Sequence, residues 1–239
     1  RVLLLQSGEI PGQNYVDFVA GCVRKIKQKF PGIIIILCLG NLSSRQYRQL
    51  KKAGADRYIL KFETSNPALY SKIKPGDTLK RRVRCIRALT KAGFAVGTGN
   101  IVGLPGQAVG SIAADLLFTG TFGPAMASTS VFIPGEHSAY RHKPAGNTGM
   151  ALNYMALMRI VYPGILIPST SSLEKAKKDS QYLGLMAGAN AVTIHDGTPA
   201  GLKKHFPIYS IRRVTPSEAH IKRIIKKAGL KLKKEGYHV

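Results

Sequence analysis

Acid is scarce in this chain: 12 Asp and Glu residues stand against 36 Lys and Arg among 239 residues, for a formal net charge of +24. A field of that size attracts polyanions over distance, so a nucleic-acid partner has to be weighed. The bases fall mostly on predicted helix faces, at Arg24-Lys25, Lys51-Lys52, Lys80-Arg81-Arg82, Lys175-Lys177-Lys178 and Lys222-Arg223-Lys226-Lys227, where a solvated surface is the plain reading. They do not alternate with aromatic residues, which stacking on single-stranded nucleic acid requires. Cysteine is scarce too. Cys22, Cys38 and Cys85 are too few and too spread for a disulfide framework or a clustered metal site, and they read as small buried hydrophobes. Long apolar runs are missing as well: the longest, residues 33–39, falls far short of the roughly 20 residues a membrane helix needs. With no signal-like opening, a soluble cytoplasmic protein is the expectation. What remains suffices for a core, since 44% hydrophobic and 20% charged residues place the chain among globular proteins.

Short β-rich runs recur at residues 2–6, 33–39, 57–61, 95–102, 126–132, 164–167 and 190–194, at the spacing of successive β/α units. Between them lie helical patterns, clearest where Val19, Cys22, Val23, Ile26 and Phe30 share one face. Punctuation agrees: Asn66-Pro67 offers a cap followed by Pro at the first helical position, Gly54 and Gly93 act as stops, and Thr215-Pro216-Ser217-Glu218 has capping-box spacing. Strands that read as nearly continuous apolar runs are expected to be parallel and covered on both faces. Alternating β and α units then mean an α/β fold, a TIM-type (β/α) barrel or a doubly wound sheet. Seven strands are one short of an eightfold barrel, so a first β/α unit is expected to be lacking. The expected division is a barrel over residues 1–198 and a helical appendage over 199–239.

In a barrel of this type the chemistry sits at the C-terminal ends of the strands. Those ends read Gln6-Ser7-Gly8-Glu9, Gly40-Asn41, Lys61-Phe62-Glu63-Thr64, Gly103-Leu104-Pro105-Gly106, Pro134-Gly135-Glu136-His137, Ser169-Thr170-Ser171 and His195-Asp196-Gly197. With acids so few, Glu9, Glu63, Glu136 and Asp196 at strand exits suggest placement, against the plain alternative that loops are polar. Glu9 and Glu63 have the chemistry to accept from an ammonium group and sugar hydroxyls, and Lys61 and Arg82 to meet a carboxylate, which together describe a zwitterionic ligand carrying a sugar. Glu63 has a bland alternative as a helix N-terminal acid stabilised by the macrodipole. His195 is an acid, base or donor in one reading and a structural histidine in the other.

Four segments carry a resemblance: Leu4-Leu5-Gln6-Ser7-Gly8-Glu9, Ala55-Asp56-Arg57-Tyr58, Phe62-Glu63-Thr64-Ser65-Asn66-Pro67 and Val102-Gly103-Leu104-Pro105-Gly106-Gln107. They resemble the biotin-synthase-like branch of the radical S-adenosylmethionine superfamily, and within it the hydrogenase maturases of the HydE and HmdB types, from residue 1 to about 195. The resemblance implies an enzyme that generates a 5′-deoxyadenosyl radical and turns it on a small substrate inside the barrel, in hydrogenase cofactor maturation. It assigns Ser7, Gly8 and Glu9 to the methionine amino group of S-adenosylmethionine, Glu63 to its ribose, Lys61 and Arg82 to its carboxylate, and Leu104 to adenine. Thr170, Ser171 and His195 are the candidate substrate residues. Lys61 and Phe62 stand where the family pattern has arginine and histidine; lysine keeps the charge and loses the bidentate fork. The resemblance also implies a 4Fe-4S cluster on three clustered cysteines, which this chain does not contain. Those ligands are expected upstream of Arg1, and the chain alone is expected to be inactive. An electron-donor protein is a further implied partner. The alternatives are a biotin-synthase-like sulfur inserter or mutase and, in a different class, a basic RNA-binding or RNA-modifying protein.

Overall fold

The computed structural model describes residues 2–194, 200–203 and 216–232. In chain order they form β1 (Val2–Gln6), α1 (Gln13–Lys29), β2 (Ile34–Cys38), α2 (Ser44–Lys52), β3 (Arg57–Ile59), α3 (Pro67–Ile73), α4 (Leu79–Lys91), β4 (Ala95–Val102), α5 (Val109–Gly120), β5 (Met126–Val131), α6 (Thr148–Val161), β6 (Pro168–Ser169), α7 (Ser171–Ala176), α8 (Ser180–Met186), β7 (Ala191–Val192), α9 (Ala200–Lys203) and α10 (Glu218–Lys227). Strand and helix alternate as expected for an α/β protein. The chain divides into two compact units, one comprising residues up to Gly99 with Ala113–Met126, the other Asn100–Ile112 with Ala127–Leu232.

In the first unit β1, β2, β3 and the start of β4 lie side by side in sequence order, all parallel, in the registers Val2↔Ile34, Ile36↔Arg57 and Arg57↔Ala95. Val16, Val19, Ala20 and Val23 fall on one face of α1 and are buried with Ile35 and Leu37 of β2, which is why a sequence with this periodicity folds as a helix against the sheet. The expectation of strands covered on both faces fails for β1. Among the described residues β1 is an edge strand, so Val2 and Leu4 stay 50% and 37% exposed. The predicted buried cysteines also need correction, because all three are free thiols of intermediate exposure.

Several helix starts carry side-chain caps. Asn66 accepts from the Leu69 amide with Pro67 next in line, as predicted, while Ser43 and Gln46 form a reciprocal capping box on α2 that the sequence reading passed over. At α10 the cap is Ser217, which accepts from His220 N; Thr215 lies outside the described residues.

In the second unit Phe132 N donates to Val102 O beside the end of β4, and β6 pairs with β7 in parallel. The predicted strand at 164–167 is displaced to Pro168–Ser169. Its backbone is occupied in part by side chains: the Arg159 guanidinium donates to the Pro163 and Ile165 carbonyls, and the Asn190 side-chain oxygen accepts from Ile167 N, while the Leu166 and Ile167 carbonyls accept from backbone amides of Ala127 and Asn190. Apolar residues alone did not reveal that side chains satisfy part of this segment. α10 lies on α8, with the Lys227 ammonium 4.2 Å from the Tyr182 ring centroid and His220 Nε2 3.1 Å from Gln181 Oε1.

Candidate functional site

The first cluster is built where β1 and β2 end. Ser7 N donates to Cys38 O, carrying the ladder one residue beyond β1, and a side chain at Gly8 would meet open space. Glu9 then folds over Gly40. That residue has φ +80, and a Cβ there would overlap Glu9 Cγ, so only glycine serves both the turn and the contact. The Gly40 carbonyl is held by the hydroxyls of Tyr58 at 2.8 Å and Tyr47 at 3.3 Å.

Glu9 Oε1 receives Lys74 Nζ at 2.7 Å and Arg82 Nη2 at 2.8 Å, whereas Oε2 has only a long bond from Asn41 N, 3.4 Å. Partial burial opposes the Glu9 charge, but the hydrogen bonds and charges of Lys74 and Arg82 outweigh it and hold the carboxyl at about 2. Arg82 is 2% exposed. Burial works against its charge as well, and Glu9 with the Tyr70 hydroxyl, 2.8 Å from Nε, more than restores it. Asp77 completes the network, accepting from Tyr70 OH and Asn41 Nδ2 at 2.7 Å each. Glu9, Asn41, Lys74, Asp77 and Arg81 border a cavity of about 420 Å³, and Asn41 Oδ1 is buried without a hydrogen-bond partner. The expected direct contact of Arg82 with a ligand carboxylate is not what this placement provides, since its Nε and Nη2 are taken by Tyr70 and Glu9.

The second cluster follows β3. Thr64 N donates to Phe62 O around Glu63, whose φ is +65, giving the rare, strained form of γ-turn. Such a conformation costs on the order of 1–3 kcal/mol and persists only where its surroundings impose it. Here Glu63 N donates to Gly99 O, and Ser65 N and Oγ both donate to the buried Asp115 of α5, each at 2.6 Å. Lys61 Nζ stands 3.2 Å from Glu63 Oε2, an ion-pair distance without hydrogen-bond alignment, for that oxygen is buried and has no hydrogen-bond partner. The helix-terminus alternative for Glu63 does not hold, because α3 begins at Pro67 with Asn66 as its cap and no acid in its first turn. Phe62 points into the core, with its ring 5.2 Å from that of Phe118 and 6.1 Å from that of Phe122.

Cys38, at the end of β2, lies within the fields of both clusters. Burial first, then the negative charge of Glu63, with Glu9 adding to it, pushes its thiol up to about 11, against the opposing pull of Lys61 and Arg82. The four charged residues singled out from the sequence thus all act electrostatically on one thiol.

The second unit holds the remaining candidates. Leu104 is buried on a turn organised by Gln107, whose Oε1 accepts from Gly103 N and Leu104 N. Gly103 has φ +86, and a Cβ on it would overlap Gly146 Cα. Thr170 caps α7 by position and hydrogen-bonds Ser172 Oγ at 2.8 Å, and Ser171 is the first residue of that helix, half-buried. Glu136 and His137 are exposed. His195 and Asp196 lie outside the described residues. Sequence reasoning missed Tyr70, Lys74, Asp77 and Asp115; only Asp115 carried a signal, a lone carboxylate within the apolar stretch of α5. Among the described residues no three His, Cys, Asp or Glu side chains are grouped to hold a metal.

Comparison with known proteins bears on the family and the fold. The FeFe hydrogenase maturase subunit HydE of Thermotoga maritima is 32% identical over 209 residues, covering 87% of this chain and 59% of that protein. A biotin synthase of Desulforudis audaxviator is 28% identical over 196 residues, covering 82% of this chain and 59% of its own length. The chain therefore spans about 59% of the length of these curated relatives. The crystal structure of methylornithine synthase (PylB) matches with a TM-score of 0.83 at 24% identity, over 98% of this chain and 68% of that one, which assigns the α/β barrel fold class. The family model of the Radical SAM superfamily matches residues 2–118, the stretch that carries both clusters, and the chain belongs to the radical SAM superfamily.

Proposed function

We propose that this chain is the S-adenosylmethionine-binding part of a radical enzyme acting on a small molecule in hydrogenase cofactor maturation. The observation that carries the reading is Glu63: a carboxylate held in a strained γ-turn, with one buried oxygen lacking a hydrogen bond, beside the Lys61 ammonium. A strained, under-satisfied acceptor is suited to ribose hydroxyls, which would supply the missing donors. Glu9 Oε2, bound only by a long bond from Asn41 N, has capacity for an ammonium group, and the open space at Gly8 leaves room for it beside Ser7. Lys61, 3.2 Å from Glu63 Oε2, would meet the carboxylate, while Arg82 and Lys74 keep Glu9 ionised. Leu104 would contact adenine, and Thr170, Ser171 and His195 the substrate. The donor and acceptor set thus fits S-adenosylmethionine, which when bound supplies a 5′-deoxyadenosyl radical on receiving an electron.

The residues described do not fit a 4Fe-4S cluster, for the three cysteines are not grouped, and no step is derived through one. In this reading an electron-donor protein serves the enzyme, residues 1–198 form the barrel, 199–239 an appendage, and the setting is cytoplasmic. A second reading, sulfur insertion of the biotin-synthase kind, has the 28% identity to biotin synthase in its favour. Calorimetry with S-adenosylmethionine on this chain and on Glu63→Ala tests the proposal. Binding that the substitution abolishes supports it, and equal binding by both removes Glu63 from the site.

A further inference from the structure

α4 is basic on two sides. On one, Arg82 is buried against Glu9 and Arg81 faces Asp77 at 3.7 Å. On the other, Arg84, Arg87 and Lys91 share a face at i, i+3 and i+7, and with Arg48 of α2 they line a cavity of about 320 Å³. No acid borders it. The remaining lining is Ser44, Ala88 and Ala92, whose small side chains leave the space open. Among the described residues, none of the four cations makes a hydrogen bond, ion pair or ring contact. Like charges three and four apart on a helix destabilise it. Lys91 has an offsetting role at the helix C-terminus, whereas Arg84 and Arg87 have none within the described structure. Ser44 and Arg48, four residues apart on α2, put one flank of that helix along the same space.

We propose that the α2–α4 groove binds a run of adjacent phosphate groups, as in a soluble oligophosphate or a nucleic-acid backbone. Three of the four cations are arginines, whose planar forks match phosphate oxygens two at a time. They stand on two helices across a cavity too large for one phosphate, so successive groups along a chain would be clamped from both walls. The site is separate from the Glu9 and Glu63 clusters, and the inference does not rest on the cofactor reading.

The test is calorimetric titration of this chain with tripolyphosphate over a series of salt concentrations, beside Arg84→Glu/Arg87→Glu and the charge-matched Arg24→Glu/Lys25→Glu on the exposed side of α1. Unchanged melting temperatures in both variants show that the fold is retained. Saturable one-to-one binding, weakened about tenfold or more by the groove substitutions and far less by those on α1, is expected. No binding, or equal weakening by the two variants, overturns the proposal, because net charge alone would then account for the retention. Polyglutamate binding as tightly, with the same dependence on the groove residues, also overturns it in favour of an acidic protein partner. A short single-stranded RNA separates the two phosphate sources. Tighter binding than tripolyphosphate, lost in the groove variant, assigns a nucleic-acid backbone, and RNA binding indifferent to the groove assigns a soluble oligophosphate.

Discussion

Asp115 Oδ1 lies 2.6 Å from both the backbone nitrogen and the hydroxyl of Ser65, so a fully buried carboxylate on α5 ties down the residue two positions beyond the strained Glu63. Asp115→Ala removes the acceptor for both donors and is expected to cost about 1–3 kcal/mol, the desolvation of groups left unpaired. Asp115→Asn keeps one acceptor oxygen and loses less. Urea unfolding of the three proteins measures the order, and an alanine variant as stable as the parent would show that the tie is dispensable.

Glu9 makes stability depend on acid. Its folded value of about 2 lies below the ordinary 4.5, so its contribution is fully present above pH 4.5 and disappears as the pH falls toward 2. Glu9→Gln lacks that contribution at every pH. The gap in stability between the parent and Glu9→Gln should therefore narrow steadily across this window, as followed by thermal melts at a series of pH values. A constant gap would mean that Lys74 and Arg82 do not hold the carboxylate as described.

Arg82 is the buried member of the same network, and its loss should be severe. Arg82→Met leaves Glu9 and Asp77 without their buried counter-charge, at an expected cost of about 3–5 kcal/mol. Arg82→Lys restores the charge but not a fork that serves Glu9 and Tyr70 together, and should fall between. Denaturant midpoints of the three proteins give the ranking.

Phe62→Ala should lose about 3–5 kcal/mol by opening a cavity among Phe118 and Phe122, and Phe62→Leu distinctly less. A histidine at this position would have to bury a polar ring in that aromatic trio. Chemical denaturation of Phe62→His, expected to be destabilised at all pH values where the ring is charged, checks whether the position belongs to the core.

How much of this was legible beforehand differs from element to element. β4 was bounded from its residues alone, and the Asn66-Pro67 start of α3 followed from local chemistry that no distant contact overrides. The 164–167 strand was not legible, because the Arg159 guanidinium takes the Ile165 carbonyl and the Asn190 side chain, 23 residues on, takes the Ile167 amide. Of the site, the strand-end acids were found by position. The partners were not: Tyr70 comes from α3 and Lys74 and Asp77 from the connection between α3 and α4, and only the fold shows that this stretch closes over Glu9. Arg82 was identified, but its burial against Glu9 and Tyr70 was not, since one-dimensional reasoning cannot tell an arginine facing a pocket from one buried behind an acid.

The approach of Gly103 to Gly146 joins two loops through bare backbone, with Val102 O and Phe132 N also closing around Gly146. The two positions consequently behave as a single locus under sequence change. A substitution at either one collides with main chain rather than with a side chain able to swing aside, and no compensating replacement at the other can make room, since glycine is already the smallest residue there is. Any randomised library of this chain should therefore return glycine at both positions together, and a recombination that carries the 102–107 turn into another background will succeed only if the segment around 146 travels with it.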